Sequence, residues 1–520
     1  MKMTFALVLT SLLLGMTTGY PLASVAQETY VVNRERKFQK IDNFAASDAW
    51  RSEFVGRYWP EKKKNEIADL LFAHDFDEQG NPKGMALSAW RVNIGAGSYE
   101  NRENKEVNNS WNRVECFLSP EGSYDFSKAR GQQWFMEAAR KRGTNSFVFF
   151  SNSAPYFMTR SGSTRPVDDK YINLREDKFD DFAAFLVDCA DHFQQEGYNI
   201  DYISPINEPN GNWAECPWQE GSFALEKDIY RVTCALDKAI SEKESIHSKI
   251  VIPELGNMKY LFKTADGDSI PDDIIRSFFT KEGEHSVLGL KNIYPCVAAH
   301  DYWSAYPPEV LVGLRERIAS ALQEEKAGVR LWASEFCILE ENNEYTMPPS
   351  ATRSINMGLF VARLIHYDLA VAGATAWQWW TCVAPDEDGP IMLRPMQGSR
   401  HESMKYDGVI CPTKMLWASA NYSFFIRPGM YRVDIQPQKS KVTNLEAATD
   451  LMVSAYSNEK QTVVVCVNYT ENDRPIVLQC DKHTTGKMYV TSIDKNLQFV
   501  GASRLNKLVI PARSVVTIVI

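Results

Sequence analysis

At 520 residues the chain is too long for one ordinary domain and suits one large domain with a smaller one attached. Hydrophobic residues at 44% and charged residues at 24% exclude wholesale disorder, a collagen-like fibre and a polytopic membrane protein. The net charge of -9, from 57 basic and 66 acidic side chains, argues against a phosphate-tracking surface and hence against nucleic acid as the main partner.

Residues 1–26 read as a signal peptide. Lys2 precedes the apolar run FALVLTSLLLGM, and Ser24-Val25-Ala26 supplies small residues for cleavage before Gln27, so the mature chain is expected to be exported, periplasmic or extracellular. No later stretch reads as long and apolar enough to span a bilayer. TYVVN, over 29–33 and within a segment 27–40, reads as a strand expected to join the C-terminal sheet.

From 41 to 427, short apolar runs alternate with amphipathic helical stretches, the pattern of repeated β/α units. Strands are predicted over 40–46, 86–94, 146–151, 201–207, 249–255, 296–302, 329–335 and 374–380. Helical stretches over 62–74, 132–143, 177–195, 225–242, 308–325 and 350–370 lie between them. The order favours an α/β fold of the (β/α)8 TIM-barrel type, whose working face lies at the C-terminal ends of the strands. An open doubly wound sheet is the alternative, but no strand leads into a GxGxxG or GxxxxGK turn. Across 428–520 closely spaced strands, over 430–435, 451–457, 462–469, 474–480, 487–493 and 507–520, predict a β-sandwich side domain.

Ten cysteines at scattered spacings define no disulfide pairing and contain no CxxC pair, so most read as small buried hydrophobes. No HExxH motif occurs, and neither a metal nor a cofactor is predicted. All thirteen tryptophans fall between Trp50 and Trp417, and flat rings with a polar edge suit ligand stacking.

The chemistry is carried by strand ends. SPINEP ends the fourth predicted strand with Asn207 and Glu208, and LWASEF ends the seventh with Glu335. Two glutamates three strands apart in a closed eight-stranded barrel face one another across its mouth. A paired acid and carboxylate is what cleavage of a glycosidic bond requires, about 5 Å apart for retention and wider for inversion. Glu254 also ends a strand, IVIPEL, and either lines the mouth or is tied in an ion pair. Glu215, Glu220, Trp213 and Trp218 fall in the loop after Glu208, either facing a ligand or serving the loop itself. Cys337, two residues past Glu335, has no evident His partner and reads as packing.

With these motifs in order, NFAASDAW, WRVNIGAGS, SNSAPYFMT, SPINEP, AHDYWS, WASEF and AWQWW, the chain resembles glycoside hydrolase family 30 over nearly all of its mature length. That family consists of retaining (β/α)8 glycosidases with an attached β-sandwich, and the branch with endo-β-1,6-galactanases looks most similar. The resemblance implies Glu208 as general acid/base and Glu335 as nucleophile. It implies Arg91 beneath Glu335, Asn207 on the sugar 2-hydroxyl, and Tyr302 orienting Glu335 with His300 beside it. Asp48 would accept from hydroxyls on the far side of the ring, and Trp377 and Trp379 would form the stacking floor. The chain departs from the glucoside- and xyloside-acting pattern at Asn152, where those members commonly carry Trp. An amide there both donates and accepts, which fits a sugar with an axial hydroxyl. The expected partner is a polysaccharide or oligosaccharide; rival readings are a glucuronoxylanase, a β-1,6-glucanase, an exo-β-glycosidase, or a non-catalytic carbohydrate-binding protein.

Overall fold

The computed structural model describes residues 27–101, 107–264, 271–324, 328–339, 342–344, 354–385 and 389–520, so the expected signal peptide lies outside the described residues. The chain opens with β1 (Glu28–Lys40) and then closes a barrel from eight strands: β2 (Asn43–Ser47), β3 (Trp90–Asn93), β4 (Phe147–Phe150), β5 (Ile200–Ser204), β6 (Lys249–Leu255), β7 (Ile293–His300), β8 (Arg330–Glu335) and β9 (Ala376–Thr381). Every neighbouring pair is parallel, and β2 closes on β9 with Phe44 opposite Trp377. The expected barrel is therefore the observed one, with each strand inside or within three residues of its predicted span.

Alternation decides what each strand presents to the lumen. Val148, Val251, Cys296, Ala298, Trp332 and Ala376 pack as one buried cluster inside the barrel, with Tyr202 and Tyr294 against it. At the bottom, Asp42 gathers Arg330, the Trp332 indole N–H at 3.0 Å and the Thr375 hydroxyl at 2.6 Å, so the lumen's polar tips are satisfied. Residues of opposite parity pack outward on the helices. The helix Phe179–Gln195, for example, buries Phe182, Phe185, Leu186, Cys189, Ala190 and Phe193, an apolar stripe at helical spacing.

After β9 a small sheet forms from β10 (Val383–Ala384), β11 (Ile391–Arg394) and β12 (Val409–Pro412). The C-terminal region follows as β13 (Tyr431–Pro437), β14 (Leu451–Ser457), β15 (Thr462–Asn468), β16 (Arg474–Gln479), β17 (Thr485–Thr491), β18 (Gln498–Arg504), β19 (Leu508–Ile510) and β20 (Ser514–Val519). Together with β1 they make one nine-stranded sheet, ordered β18-β17-β20-β15-β14-β13-β1-β16-β19. β1 pairs antiparallel with β13 and parallel with β16. Sequence periodicity predicted neither strand β18 nor the division of the expected 507–520 strand into β19 and β20; β18, QFVGASR, alternates exposed and half-buried residues at a sheet edge and buries little.

Both faces of this sheet are buried at its centre. In β15, Val464 and Cys466 join the sheet's own core, whereas Val463, Val465 and Val467 join the core continuous with the barrel. Each such fully buried valine contributes about 1.5–3 kcal/mol relative to exposure, so the sheet is welded to the barrel. The partner on the barrel side includes the segment Ile355–Ala372, whose length and hydropathy do reach those of a membrane span, against the sequence expectation. It is 83% buried and packs on β14, β15 and β20, so its all-round apolarity is that of a core helix between two layers. The ten cysteines are free thiols, all buried or half-buried.

Candidate active site

Five strand ends deliver charged or polar side chains to one point at the top of the barrel. From β3, Arg91 rises wholly buried through the lumen, and its guanidinium packs on the Phe150 ring with its central carbon 3.9 Å from the ring centre. It donates from Nη1 to Glu335 Oε2, and from Nη2 to Asn207 Oδ1 at 3.0 Å. Glu335, the last residue of β8, also accepts from the Tyr302 hydroxyl at 3.0 Å on Oε1. His300, the last residue of β7, sits between three carboxylates: Nδ1 lies 3.0 Å from Glu208 Oε1 and 3.4 Å from Glu335 Oε1, and Nε2 lies 3.2 Å from Glu254 Oε2.

Local backbone bends aim these groups. Glu208, four residues past the end of β5, and Glu254, the last residue but one of β6, both adopt left-handed φ, +43° and +59°, and the Glu208 N–H donates to the Glu254 carbonyl at 2.8 Å. Such φ values are costly for non-glycine residues and cluster at functional sites. The loop after Glu208 is pinned by the Trp213 indole, which donates to the Glu208 carbonyl at 2.8 Å. Gly256 gives the Glu208 side chain its room, since a Cβ there would lie 3.1 Å from Glu208 Oε1 and push that carboxylate by a few tenths of an ångström.

Charge balance follows from this packing. Burial pushes the His300 imidazolium down, but Glu335, Glu208 and Glu254 outweigh it and raise its pKa to about 10. Burial raises the Glu335 carboxyl above its ordinary range, held in check by His300 and Arg91. Burial pushes Glu254 the same way, yet Arg91 and His300 prevail and lower it, leaving it ionised. Ligand-type atoms of Glu208, His300 and Glu335 all fall within 4.8 Å of one another, a spacing a cation can use. Here Arg91 and the His300 imidazolium already supply the positive charge those carboxylates need.

The mouth opens into a cleft of about 1900 Å³ lined by Glu208, Glu335, Asn207 and Tyr302, with Trp50, Trp213, Trp218, Trp303 and Trp380 around them. Glu215 and Cys337 line it too, whereas Glu220 is buried and accepts the Ala96 and Ser98 amides at 3.1 and 3.0 Å. Of the residues singled out in the sequence, the structure places Glu208, Glu335, Arg91, Asn207, His300 and Tyr302 together. It sets three others, Trp377, Trp379 and Asp48, apart, and puts Asn152 beside Asn207 at the edge of the site. Trp377 and Trp379 are fully buried on the outward face of β9, Trp377 donating to Asp368 at 3.0 Å. The ring on the cleft is Trp380, edge-on to Trp50 with ring centres 5.2 Å apart. The parity of β9 explains the miss, since neighbouring tryptophans point to opposite sides. Asp48 is fully buried, with Oδ1 accepting the Asn93 amide at 2.9 Å and Oδ2 the Gln132 side chain at 2.8 Å. It therefore braces β3 instead of offering free oxygens to ligand hydroxyls. Asn152 is 2% exposed, lines a small cavity with Asn207, and has no partner for either amide atom.

A closed (β/α)8 barrel with two glutamates facing each other at its mouth, one on an arginine and a tyrosine, is the arrangement that cleavage of a glycosidic bond calls for. The model of O-glycosyl hydrolase family 30 matches residues 27–389, and the chain belongs to that family. A crystal structure of a conserved exported protein from Bacteroides fragilis is 58% identical, with a TM-score of 0.93 over 95% of this chain and 100% of that one. An exo-β-1,6-galactobiohydrolase of Bifidobacterium longum is 27% identical over 29% of this chain, which spans only 10% of that protein's length. An endo-β-1,6-galactanase of Hypocrea rufa is 21% identical over 69% of this chain and 68% of its own.

Proposed function

We propose that the protein is an exported retaining glycosidase acting on β-1,6-linked galactan, with Glu335 as nucleophile and Glu208 as general acid/base. The observation that carries the mechanism is the spacing: carboxylate oxygens of Glu208 and Glu335 lie within 4.8 Å of each other, closer than the roughly 6.5–9.5 Å between carboxyl groups that inversion uses. Arg91 and Tyr302 hold Glu335 in its ionised form, ready to attack the anomeric carbon. Glu208 protonates the leaving oxygen and then deprotonates the water that releases the sugar. Asn207, fixed by Arg91, is placed to hydrogen-bond the 2-hydroxyl.

Galactan is favoured by Asn152. A buried amide with both atoms unpaired costs about 1–3 kcal/mol unless a ligand completes it, and an axial 4-hydroxyl is a group that can. Two β-1,6-galactan-acting relatives and a relative described as exported agree with this reading. The test pairs roles with substrate. Glu335→Gln abolishes the glycosyl-enzyme, whereas Glu208→Ala keeps slow turnover of an activated aryl glycoside and yields a glycosyl azide when azide is added. On polymers, wild type prefers β-1,6-galactan to β-1,6-glucan and glucuronoxylan, and Asn152→Ala loses about ten- to a hundredfold in kcat/KM on the galactan. Preference for another polymer overturns the substrate, absence of an azide product overturns the roles, and binding without turnover of any glycan leaves a carbohydrate-binding protein.

A further inference from the structure

Glu254 presents a carboxylate that the double displacement does not use. It is 1% exposed and is not among the residues lining the cleft. Burying an ionised carboxylate is costly unless its partners repay it. Those partners are the Ser334 hydroxyl, His300 Nε2 at 3.2 Å and Arg91 Nη2 at 3.8 Å.

We propose that Glu254 is a positioning residue that acts through His300, holding on the His300–Glu208 pair the proton that Glu208 delivers to the leaving group. The inference rests on the acid/base reading of Glu208. His300 has a carboxylate oxygen at hydrogen-bond distance from each ring nitrogen, 3.0 Å on the Glu208 side and 3.2 Å on the Glu254 side. Carboxylates only accept, so with both ionised both nitrogens must carry hydrogen and the ring is an imidazolium. Moving the Nδ1 proton onto Glu208 Oε1 leaves a neutral imidazole whose Nε2–H still donates to Glu254, and a carboxylic acid facing the cleft. Glu208 passes that proton to the glycosidic oxygen as the carbon–oxygen bond breaks. Taking a proton from the attacking water in the second step restores the pair.

The other charged groups facing His300 are Glu335, whose Oε1 is 3.4 Å from Nδ1, and Arg91 beyond Glu254 and Glu335. Tyr302 faces Glu335, and Asp301, next in the chain, turns away to Arg315 at 2.6 Å. Glu254 is the one carboxylate in contact with His300 that stays unchanged through the reaction, since Glu335 becomes an ester and Glu208 gains and loses its proton. It is also coupled to Glu208 by backbone, through the 2.8 Å amide bond, which a side-chain substitution leaves in place.

The experiment compares wild type, Glu254→Gln and Glu254→Asp by nitrogen-15 NMR of labelled histidine and by the pH profile of kcat/KM on an aryl β-glycoside. In wild type, His300 carries hydrogen on both nitrogens at pH 7. In Glu254→Gln it loses one at lower pH, and the alkaline limb of the profile moves down by about one unit. At any fixed pH on the alkaline side of the limb activity then falls about tenfold, with the pH 5 value within about threefold of wild type. Glu254→Asp keeps the charge and restores most of the alkaline limb. A purely structural role would lower activity by the same factor at every pH. That result, or a singly protonated His300 in wild type at pH 7, overturns the proposal; the wild-type spectrum decides it even if Glu254→Gln does not fold. Failure of azide rescue in Glu208→Ala would remove the acid/base reading while leaving the NMR test of the Glu254–His300 link intact.

Discussion

Replacing Tyr302 by Phe removes one hydroxyl from the site and little else. The ring stays packed near Phe336, the Tyr302 carbonyl keeps its bond from Asn257 at 2.7 Å, and Arg91 still holds Glu335 Oε2. What is lost, together with a weak 3.7 Å contact between the phenol and Cys337 Sγ, is the 3.0 Å bond from the phenol to Glu335 Oε1, a neutral donor on a charged acceptor. Bonds of that kind are worth about 1.5–3 kcal/mol, so kcat/KM on an aryl β-glycoside is expected to fall about ten- to a hundredfold. A second consequence concerns pH. Burial already raises the Glu335 carboxyl, and a bond made to its ionised form opposes that rise; removing the bond raises it further. The reaction needs the ionised nucleophile, so activity is lost as pH falls through that pKa, and a higher pKa moves the acid limb to higher pH. The assay is the pH profile of Tyr302→Phe against wild type, with a thermal melt to establish that the fold is intact. An acid limb that stays put or moves to lower pH would refute the argument, because it would mean that Tyr302 does not favour the charged carboxylate.

Two further outcomes are expected. In Gly131→Ala the new Cβ would meet the Glu53 carbonyl oxygen at 1.9 Å, backbone that cannot swing aside. The helix beginning at Arg130, whose Gly131 and Gln132 amides are held by Glu53 Oε2 at 2.7 and 3.1 Å, must shift, and with it Gln132 on Asp48. A stability loss of about 1–3 kcal/mol or more should appear in denaturant unfolding, and an unchanged midpoint would contradict the close contact. On the rim of the cleft, Trp218 and Trp303 are 51% and 62% exposed. Their double replacement by Ala should raise KM for the polysaccharide severalfold, by loss of stacking, and leave an aryl monoglycoside unaffected; equal loss on both substrates would place these rings in the catalytic step.

The barrel was legible because its strands are apolar runs of four to eight residues bounded by polar helices, and burial on both sides demands that composition. Glu208 and Glu335 were legible for the same reason: an acid at the end of such a run stands where the barrel opens. Strand β18 was not, because an edge strand with alternate residues exposed and a glycine within it has a loop's composition.

The sequence by itself determined the fold class and set Asn207, Glu208 and Glu335 at strand ends, since these follow from where polar residues interrupt apolar periodicity; Arg91, His300 and Tyr302 came only from the resemblance to family 30. Only the tertiary structure decided which of three nearly adjacent tryptophans floors the cleft. Trp377 and Trp379 share one parity and face the helices, and Trp380 has the other and faces the mouth. It also decided that Asp48 is consumed by Asn93 and Gln132, partners 45 and 84 residues away. The role of Glu254 was beyond sequence for a like reason. Its terminal position was visible, but the left-handed turn that swings it under His300, and the 3.2 Å contact made there, exist only when β6 and β7 lie side by side. Periodicity records which side of an element a residue faces on average; the partner it meets is set by the packing of elements far apart in the chain.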